Sequence, residues 1–306
     1  MKQIIKRGSF LTLMFLLLGC LSLYAADNAL ITRQITIKLE EAGTLPDRIA
    51  SSEKYKITNL KIIGEINGTD LGMIRKMAGS SYTGNSTDGK LSVLDLSEAK
   101  IVEGGDCYYS IYNHSYYTSN DVIGSYAFYG CYGLTSLNLP AGITEIDSHA
   151  FWCCYGLTSL TLPAGITEID SHAFFYCIGL TSLNLPAGIT SIGWYAFQGC
   201  SGLTSIYVYA KKVPKIGSYV FDGFDAKKCT LYVPMGTRDN YRLSGFGNYF
   251  ENIVEFDATG IDKTTTSTDV EEVTRYSVNG QRLSAPTKGL NIVKYSDGSV
   301  KKVAVQ

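Results

Sequence analysis

IDSHAFWCCYGLTSLTLPAGITE, which starts at Ile146, is one of four consecutive copies of a 23-residue unit. The other copies start at Ile123, Ile169 and Ile192, and a shorter start, IGSYVFDGF, follows at Ile216. The apolar residues are the same or similar in every copy, and the residues between them vary. Self-similarity at a period of about 20 to 50 residues is typical of stacked repeat architectures. The sequence therefore predicts a solenoid.

The spacing inside one unit predicts how a single turn of the solenoid is built. Leu137 and Leu139 are two residues apart, so both point to the same side of an extended strand. Pro140 removes a backbone donor and ends that strand, after which Ile143 and Ile146 point inward again. One unit is too small to bury its apolar side, so neighbouring units must stack. Their strands then form a parallel ladder, about 4.8 Å apart.

A second part of each unit is predicted to be one tight helical turn. Ala127, Phe128 and Cys131 follow an i, i+1, i+4 spacing, which places Ala127 and Cys131 on one helical face. The cysteine recurs in every copy, at Cys131, Cys154, Cys177 and Cys200. A column of buried thiols is favoured, because free cysteine behaves as a small hydrophobic residue. Disulfides between units and a metal site remain alternatives, although the cysteines from Asp27 onward are odd in number.

Residues 1–26 have the pattern of a signal peptide. Positive residues come first, and Phe10 to Leu18 form an apolar core that is too short for a transmembrane helix. The run YAA before Asp27 suits ordinary signal peptidase, which is slightly favoured, whereas LLGC resembles a bacterial lipobox in which Cys20 carries a lipid. Either cleavage predicts export, with the mature chain secreted or attached to the outer membrane or cell surface of a bacterium.

The charge of the chain gives no sign of a nucleic-acid partner. Without Lys2, Lys6 and Arg7 of the leader, the 27 basic residues fall to 24 against 28 acidic ones, a net charge of −4. Binding to nucleic acid or to an anionic membrane calls for a clustered basic patch. We therefore expect contact with a membrane only through a lipid on Cys20.

Three further segments surround the repeats. Residues 27–90 alternate strand-like runs with a short helix at Leu71–Met77, and we predict that they are an entry and capping segment. The solenoid is predicted to span residues 91–256, with an aromatic cap on its last turn. Residues 257–272, rich in Thr and Ser, are typical of a linker. Residues 273–306 carry Asn-Gly and Asp-Gly hairpin signals and predict a small all-β module.

The interval before the first full repeat is unusually long for a connector. Leu91–Leu96 (LSVLDL) has the leucine spacing of the later units, and Gly104–Asp121 separates it from them. This interval combines polar residues with five tyrosines. Loops of this length are either functional or disordered, so we expect a contact surface or a disordered segment.

The repeat motif L-x-x-L-x-L-P-x-x-I-x-x-I-x-x-x-A-F-x-x-C resembles the leucine-rich repeats of BspA-like surface proteins of Bacteroidetes and treponemes. The resemblance covers about residues 91–234, and NLKIIGEINGTDLGMIRKM is similar to the N-terminal part of such proteins. It implies a leucine-rich-repeat solenoid, a right-handed β/α superhelix, in an exported binding protein that is often proposed to be an adhesin and lacks catalytic activity. The tail RYSVNGQRL is similar to short C-terminal modules of exported Bacteroidetes proteins, some of which are sorting signals.

The sequence offers no residues for catalysis or for a cofactor. It has three histidines and no nucleophile–base pattern, glycine-rich phosphate loop or paired Cys-x-x-Cys, so we predict a protein that is not an enzyme and uses no cofactor. His149 and His172 share one position of neighbouring units, with Asp147 and Asp170 close by, and two such pairs could bind a metal. Tyrosine holds that position in other units, which favours surface variation over a metal site.

Two rows of varied positions are the candidate binding surfaces. The polar row lies on the outward side of the strands, and its candidate ligand-binding residues are Asn138, Thr161, Asn184 and Tyr207. The aromatic row lies beside the repeated Ala-Phe pair, and its candidates are Tyr126, Tyr129, Trp152, Tyr155, Phe175, Trp194 and Tyr195. Clusters of exposed aromatic residues often mark binding sites, although packing between repeats would explain them as well.

These patterns predict an exported leucine-rich-repeat protein that binds a protein or glycan on a host or neighbouring cell through its repeat surface. The alternative is a structural or assembly component of the cell envelope with no diffusible ligand. Whether the aromatic positions are exposed or packed bears most on this choice.

Overall fold

The computed structural model describes residues 29–225, 228–258, 272–277, 282–283, 289–295 and 300–305. The chain divides into two compact units, one that ends at Ala258 and one that starts at Thr259, inside the predicted linker. The predicted signal peptide and Cys20 lie outside the described residues. The boundaries derived from the sequence for the entry segment, the solenoid, the linker and the C-terminal module remain predictions.

Three parallel strands lead the chain into the solenoid. They are β1 (Ile35–Lys38), β2 (Asn59–Ile66) and β3 (Val93–Ile101), paired in that order. Helices α1 (Leu45–Arg48) and α2 (Gly68–Met77) connect them. The entry segment therefore adds its own strands to the same sheet that the first repeats continue.

Helix α2 begins earlier than the Leu71 start expected from the sequence. Asn67 caps the helix, because its side chain accepts a hydrogen bond from the Thr69 N–H at 3.0 Å. Asp70, three residues further on, accepts from the Asn67 N–H at 2.9 Å and completes a capping box. Asp70 is thus a residue of the first helical turn and not the residue that precedes the helix.

The tyrosine-rich interval is an ordered hairpin, so the expectation of a disordered segment is wrong. Strands β4 (Gly104–Ile111) and β5 (His114–Thr118) pair antiparallel. Tyr108 and Tyr109 are buried, and the Tyr108 hydroxyl donates to the Ser125 carbonyl oxygen at 2.9 Å. These buried rings bind the hairpin to the start of the repeat array.

The repeats build two parallel sheets. The shorter strands are β6 (Val122–Ile123), β8 (Glu145–Ile146), β10 (Glu168–Ile169), β12 (Ser191–Ile192) and β14 (Lys215–Ile216). The longer strands are β7 (Ser136–Asn138), β9 (Ser159–Thr161), β11 (Ser182–Leu185), β13 (Ser205–Val208) and β15 (Thr230–Pro234). The sequence predicted the longer strands, but for the shorter ones it predicted only inward isoleucines.

The predicted continuous ladder of longer strands is divided between two sheets. Strands β7 and β9 extend the entry sheet, whereas β11, β13 and β15 join β16 (Asn252–Phe256) in a second sheet. The shorter strands form one unbroken five-stranded sheet across the same repeats. The stack tolerates the division because its other sides remain hydrogen-bonded from one repeat to the next.

The third side of each repeat is not the helical turn expected from the sequence. Tyr126 and Gly130 have φ angles of 61° and 66°, in the left-handed region. The N–H groups of Tyr126, Phe128 and Gly130 donate to carbonyl oxygens of the following repeat at 3.3, 2.7 and 2.9 Å. An α-helix would direct these groups along the chain to residue i−4. The left-handed residues turn them along the solenoid axis instead.

The core of the solenoid is a column of stacked phenylalanines, one from each repeat. Neighbouring rings are 4.9 to 5.7 Å apart between centroids and lie within 7° of parallel. The column consists of Phe128, Phe151, Phe174, Phe197 and Phe221. The C-terminal cap, with α3 (Arg238–Arg242) and a 3-10 helix (Gly245–Asn248), covers Phe221 with the rings of Phe246 and Phe250.

The repeated cysteines are buried free thiols. The thiol of Cys154 donates to the Phe128 carbonyl oxygen in the preceding repeat at 3.1 Å, and Cys177 and Cys200 make the equivalent bond. Burial raises the pKa of Cys131 to about 11. The thiol is thus both a small apolar group and a donor that satisfies a carbonyl oxygen of the core.

The described residues of the second unit form a sheet of four antiparallel strands. They are β17 (Glu272–Ser277), β18 (Arg282–Leu283), β19 (Gly289–Tyr295) and β20 (Val300–Val305), in the order β18-β17-β19-β20. Val293 of β19 is buried. The Asn-Gly and Asp-Gly pairs that signalled the hairpins lie outside the described residues.

The buried thiols should resist alkylation in the folded protein. We expect iodoacetamide at about pH 8 to label half-buried Cys107 within minutes and to leave Cys131, Cys154, Cys177 and Cys200 unlabelled. The reason is that only a thiolate reacts, and a buried thiol with a raised pKa is almost wholly protonated at that pH. Mass spectrometry of peptides after unfolding measures the labelling. Equal labelling of Cys107 and Cys177, or a disulfide-linked pair of these peptides, would contradict the thiol column.

Candidate binding surface

The polar row lies on the outward side of the longer strands, as predicted. Asn138, Thr161 and Asn184 are exposed, and Tyr207 is half-buried. Asn138 pairs in register with Thr161 and Asn184 with Tyr207, but β9 and β11 belong to different sheets. The Tyr207 ring also stacks on Tyr232 at 4.3 Å between centroids. The row is therefore two short pairs, one of which ends in a packed aromatic ring.

Part of the aromatic row forms a second column of rings, which we call the ring column. It consists of Tyr126, His149, His172, Tyr195 and Tyr219, stacked at 4.8 to 5.1 Å between centroids. All five residues have left-handed φ angles, between 58° and 62°. A non-glycine residue in this region costs about 1 to 2 kcal/mol. Stacking offsets that cost, because every ring except Tyr219 at the end of the column stacks on two neighbours.

The ring column starts on a buried arginine that the sequence did not single out. Tyr109 stacks on Tyr126 at 5.0 Å, and the Arg75 guanidinium lies 4.8 Å from the centroid of the Tyr109 ring. Arg75 is fully buried and donates to the carbonyl oxygens of Tyr126, Ala127 and Tyr129 at 2.6, 2.9 and 3.1 Å. Arg75 thereby satisfies the carbonyl oxygens of Ala127 and Tyr129, the positions at which later repeats accept hydrogen bonds from the repeat before them.

A further set of aromatic candidates packs beside the ring column. Tyr129, Trp152 and Phe175 are half-buried. The Trp152 ring meets Tyr129 at 5.6 Å and Phe175 at 5.4 Å, both edge to face. It also lies 4.9 Å from His149 of the ring column. Packing between repeats accounts for most of the contacts of these rings.

Two aromatic candidates are exposed rather than half-buried. Tyr155 is 43% exposed and stacks on Tyr132 at 5.3 Å, whereas Trp194 is 62% exposed. Trp194 occupies the position that serine holds in the other repeats, at Ser125, Ser148, Ser171 and Ser218. Gly217 makes room for the indole, because a Cβ there would lie 2.1 Å from the Trp194 Cδ1 atom. Trp194 is therefore the candidate that is most available to a ligand.

The stacked histidines are arranged as packed neutral rings. The planes of His149 and His172 are within 6° of parallel, so their in-plane lone pairs do not converge on one ion. Burial and the neighbouring His172 lower the pKa of His149 to about 4. Within residues 29–225 and 228–258, no group of three or more His, Cys, Asp or Glu side chains is placed to hold a metal. The geometry favours surface variation over the metal alternative.

The carboxyl groups beside the histidines bind protein donors. Asp170 accepts hydrogen bonds from the Ser148 hydroxyl and the Ser171 N–H, both at 2.6 Å. Burial, followed by the charges of Asp170 and Glu145, raises the pKa of Asp147. Asp147 and Asp170 thus belong to the surface network between repeats.

The geometry above defines a leucine-rich-repeat solenoid. The family model described as "BspA type Leucine rich repeat region" matches residues 106–231 in six copies. This part of the chain therefore belongs to the BspA-type leucine-rich repeats, which confirms the resemblance seen in the motif. The match covers less than half of the chain. None of the curated proteins compared with the chain matches it.

Several solved structures are similar to the chain. A leucine-rich-repeat protein of T. pallidum is 27% identical, with 44% of this chain and 66% of that chain covered and a TM-score of 0.36. The pneumococcal vaccine antigen PcpA is 15% identical (68% and 61% covered, TM-score 0.35). A leucine-rich-repeat protein of Bacteroides ovatus is 16% identical (46% and 59% covered, TM-score 0.25). The chain thus spans less than two thirds of each of these chains.

Replacing both stacked histidines by tyrosine, the residue at that position in other repeats, should weaken the pH dependence of stability. The folded chain keeps His149 neutral down to about pH 4, whereas the unfolded chain binds a proton below about pH 6.5. Stability that is present above pH 6.5 is therefore lost as the pH falls toward 4. Because His149 is only half-buried, we expect the wild type to lose on the order of 1–2 kcal/mol more than H149Y/H172Y.

Urea unfolding at several pH values between 7 and 4.5 measures this difference. The carboxyl groups near the histidines, Asp147, Asp170, Glu145 and Glu168, are present in both proteins, so the comparison removes their contribution. Parallel pH profiles for the two proteins would contradict the assignment of neutral stacked rings.

Proposed function

We propose that the protein is an exported or cell-surface binding protein that engages a protein or glycan ligand without catalysis. The observation that carries this proposal is the exposure of Trp194, 62%, at a position where the other repeats have serine. A partner that covers the indole removes a large apolar surface from water, and tryptophan is enriched at binding hot spots for this reason. The BspA-type repeats of residues 106–231 support a surface role of this kind.

The packing of the other aromatic candidates narrows the proposed binding surface. Tyr126, Tyr129, Trp152, Phe175 and Tyr195 are half-buried against neighbouring rings. Rings that pack against each other in this way stabilise the stacked repeats and need no ligand. Their packing therefore favours the second candidate function, a structural or assembly component of the cell envelope. Trp194 has serine at its position in both neighbouring repeats and stays 62% exposed, so its exposure supports a binding function.

Export and attachment belong to the same proposal. Export rests on the leader pattern of residues 1–26, and no helix among the described residues is long and apolar enough to span a membrane. We further propose that the repeats wind as a right-handed superhelix, that residues 273–306 serve in sorting or attachment, and that the ligand is on a host or neighbouring cell. A lipid on Cys20 would be the membrane anchor.

Mass spectrometry of the mature N-terminus tests the proposed export. In cells that express the full chain, we expect the protein to lack residues 1–26 and to begin at Asp27. A diacylated Cys20 at the N-terminus would instead identify a lipoprotein. Recovery of an uncleaved chain from the cytosol would contradict both forms of export.

Binding of labelled mature protein to intact cells tests the proposed function. We expect saturable binding of the wild type to at least one class of host or bacterial cell, and at least tenfold weaker binding by Trp194→Ser, because serine removes the exposed indole. Trp152→Phe is the matched control, since it alters the other tryptophan within the packed rings. Absence of binding by the wild type, or equal binding by Trp194→Ser, would favour the structural alternative.

A further inference from the structure

A groove separates Trp194 from the C-terminal cap. It has a volume of about 550 Å³, within the range of about 300 to 1,000 Å³ typical of small-ligand sites. The residues that line it include Trp194, Ser218, Tyr219, Asp222, Asn248 and Tyr249. The groove is thus formed jointly by the last repeats and the cap, at the end of the ring column.

Trp194 forms one wall of this groove. A Cβ on Gly217 would lie 2.1 Å from the indole Cδ1 atom and 2.7 Å from the Trp194 nitrogen, so the indole rests directly on the backbone of the next repeat. Its neighbours at the same position, Ser171 and Ser218, are too small to cover it. Tyr219, the exposed end of the ring column, adds a second aromatic face, 51% exposed. A flat ligand surface therefore meets aromatic faces that are already in place.

Polar groups with little charge surround these aromatic faces. Ser218 and Asn248 are exposed, and their hydroxyl and amide groups donate and accept hydrogen bonds. Half-buried Asp222 adds acceptors, and its charge, after burial, contributes to the raised pKa of Tyr249. The described residues that line the groove include no lysine or arginine. The groove therefore disfavours phosphate, sulfate and carboxylate groups.

This combination fits a sugar ring better than an apolar peptide side chain. A pyranose presents a flat face of C–H groups, which packs on an aromatic ring, and a rim of hydroxyls that each need a donor or acceptor. An apolar peptide side chain would leave Asp222 and Asn248 without partners, and buried polar groups without partners are costly. An acidic peptide or an anionic polysaccharide would meet the Asp222 charge.

We propose that the groove between Trp194 and the C-terminal cap is a carbohydrate subsite, which binds a neutral pyranose unit of a glycan. The indole of Trp194 stacks on the C–H face of the sugar. Ser218, Asp222 and Asn248 bind its hydroxyls. This inference rests on the proposed function and names the ligand class of that surface.

The two tryptophans of the chain allow a direct test. In the full-length mature protein, Trp152→Phe leaves Trp194 as the only tryptophan, so its fluorescence reports on the groove alone. The probes are a neutral glucan, mannan, xylan and galactan, with heparin as the anionic comparison. We expect a saturable change in the Trp194 emission with at least one neutral glycan and no change with heparin.

Trp194→Ser supplies the matched loss variant, because it restores the serine of the other repeats and should keep the fold. Far-ultraviolet circular dichroism and the melting temperature check this. Calorimetric titration with the glycan found above should show at least tenfold weaker binding by Trp194→Ser. Unchanged affinity of this variant would overturn the subsite, as would the absence of binding to every neutral glycan or a preference for heparin.

The remaining outcomes separate this inference from the proposed function. If wild-type protein binds cells through Trp194 but binds none of the glycans, the carbohydrate subsite is wrong and a protein ligand stands. If analytical ultracentrifugation shows self-association that Trp194→Ser abolishes, and no glycan dissociates it, the groove is occupied by a second copy of the chain and the inference is overturned. If no cell and no glycan is bound, both are overturned.

Discussion

Backbone hydrogen bonds that run from one repeat to the next are the interaction on which the rest of this structure depends. Two sides of the solenoid make them as short parallel strands, and the third side makes them through left-handed residues such as Tyr126 and Gly130, which turn alternate N–H groups toward the next repeat. Each repeat is therefore completed only by its neighbours. At one end, Arg75 donates hydrogen bonds to carbonyl oxygens of the first repeat. At the other end, rings of the cap cover Phe221 of the last repeat.

The same constraint explains why aromatic residues stack in columns. Equivalent positions of neighbouring repeats, 23 residues apart and 24 in the last step, lie directly above one another, so a ring in one repeat meets the ring of the next. Inside the solenoid this yields the phenylalanine column, and near the surface it yields the ring column. A large aromatic residue whose neighbours at its own position are small has no ring stacked above or below it, which leaves more of its surface exposed. Trp194, between Ser171 and Ser218, meets this condition.

Local patterns predicted much of the array. The spacing of Leu137 and Leu139 predicted a strand with both side chains inward. Both residues are buried, Leu137 within the strand Ser136–Asn138 and Leu139 directly after it. The buried thiols and the outward polar row were also predicted correctly. The helical turn was wrong because an i, i+4 spacing does not reveal left-handed residues other than glycine. Arg75 was missed because its partners in the first repeat, such as Ala127, lie more than 50 residues away in the sequence. The tyrosine hairpin was missed because its buried rings bind to another element, as Tyr108 does to Ser125.

The sequence by itself determined that the protein is a stacked array, because a repeated apolar pattern can be buried only by copies of itself. It also determined which residues of each repeat belong to the core. Only the tertiary structure decided which of the varied aromatic residues are packed and which are exposed. Burial of a ring such as Trp152 depends on the residues above and below it, 23 positions away in either direction, and on the left-handed backbone that aims them. For Trp194 it depends as well on the absence of a side chain at Gly217 and on the cap across the groove.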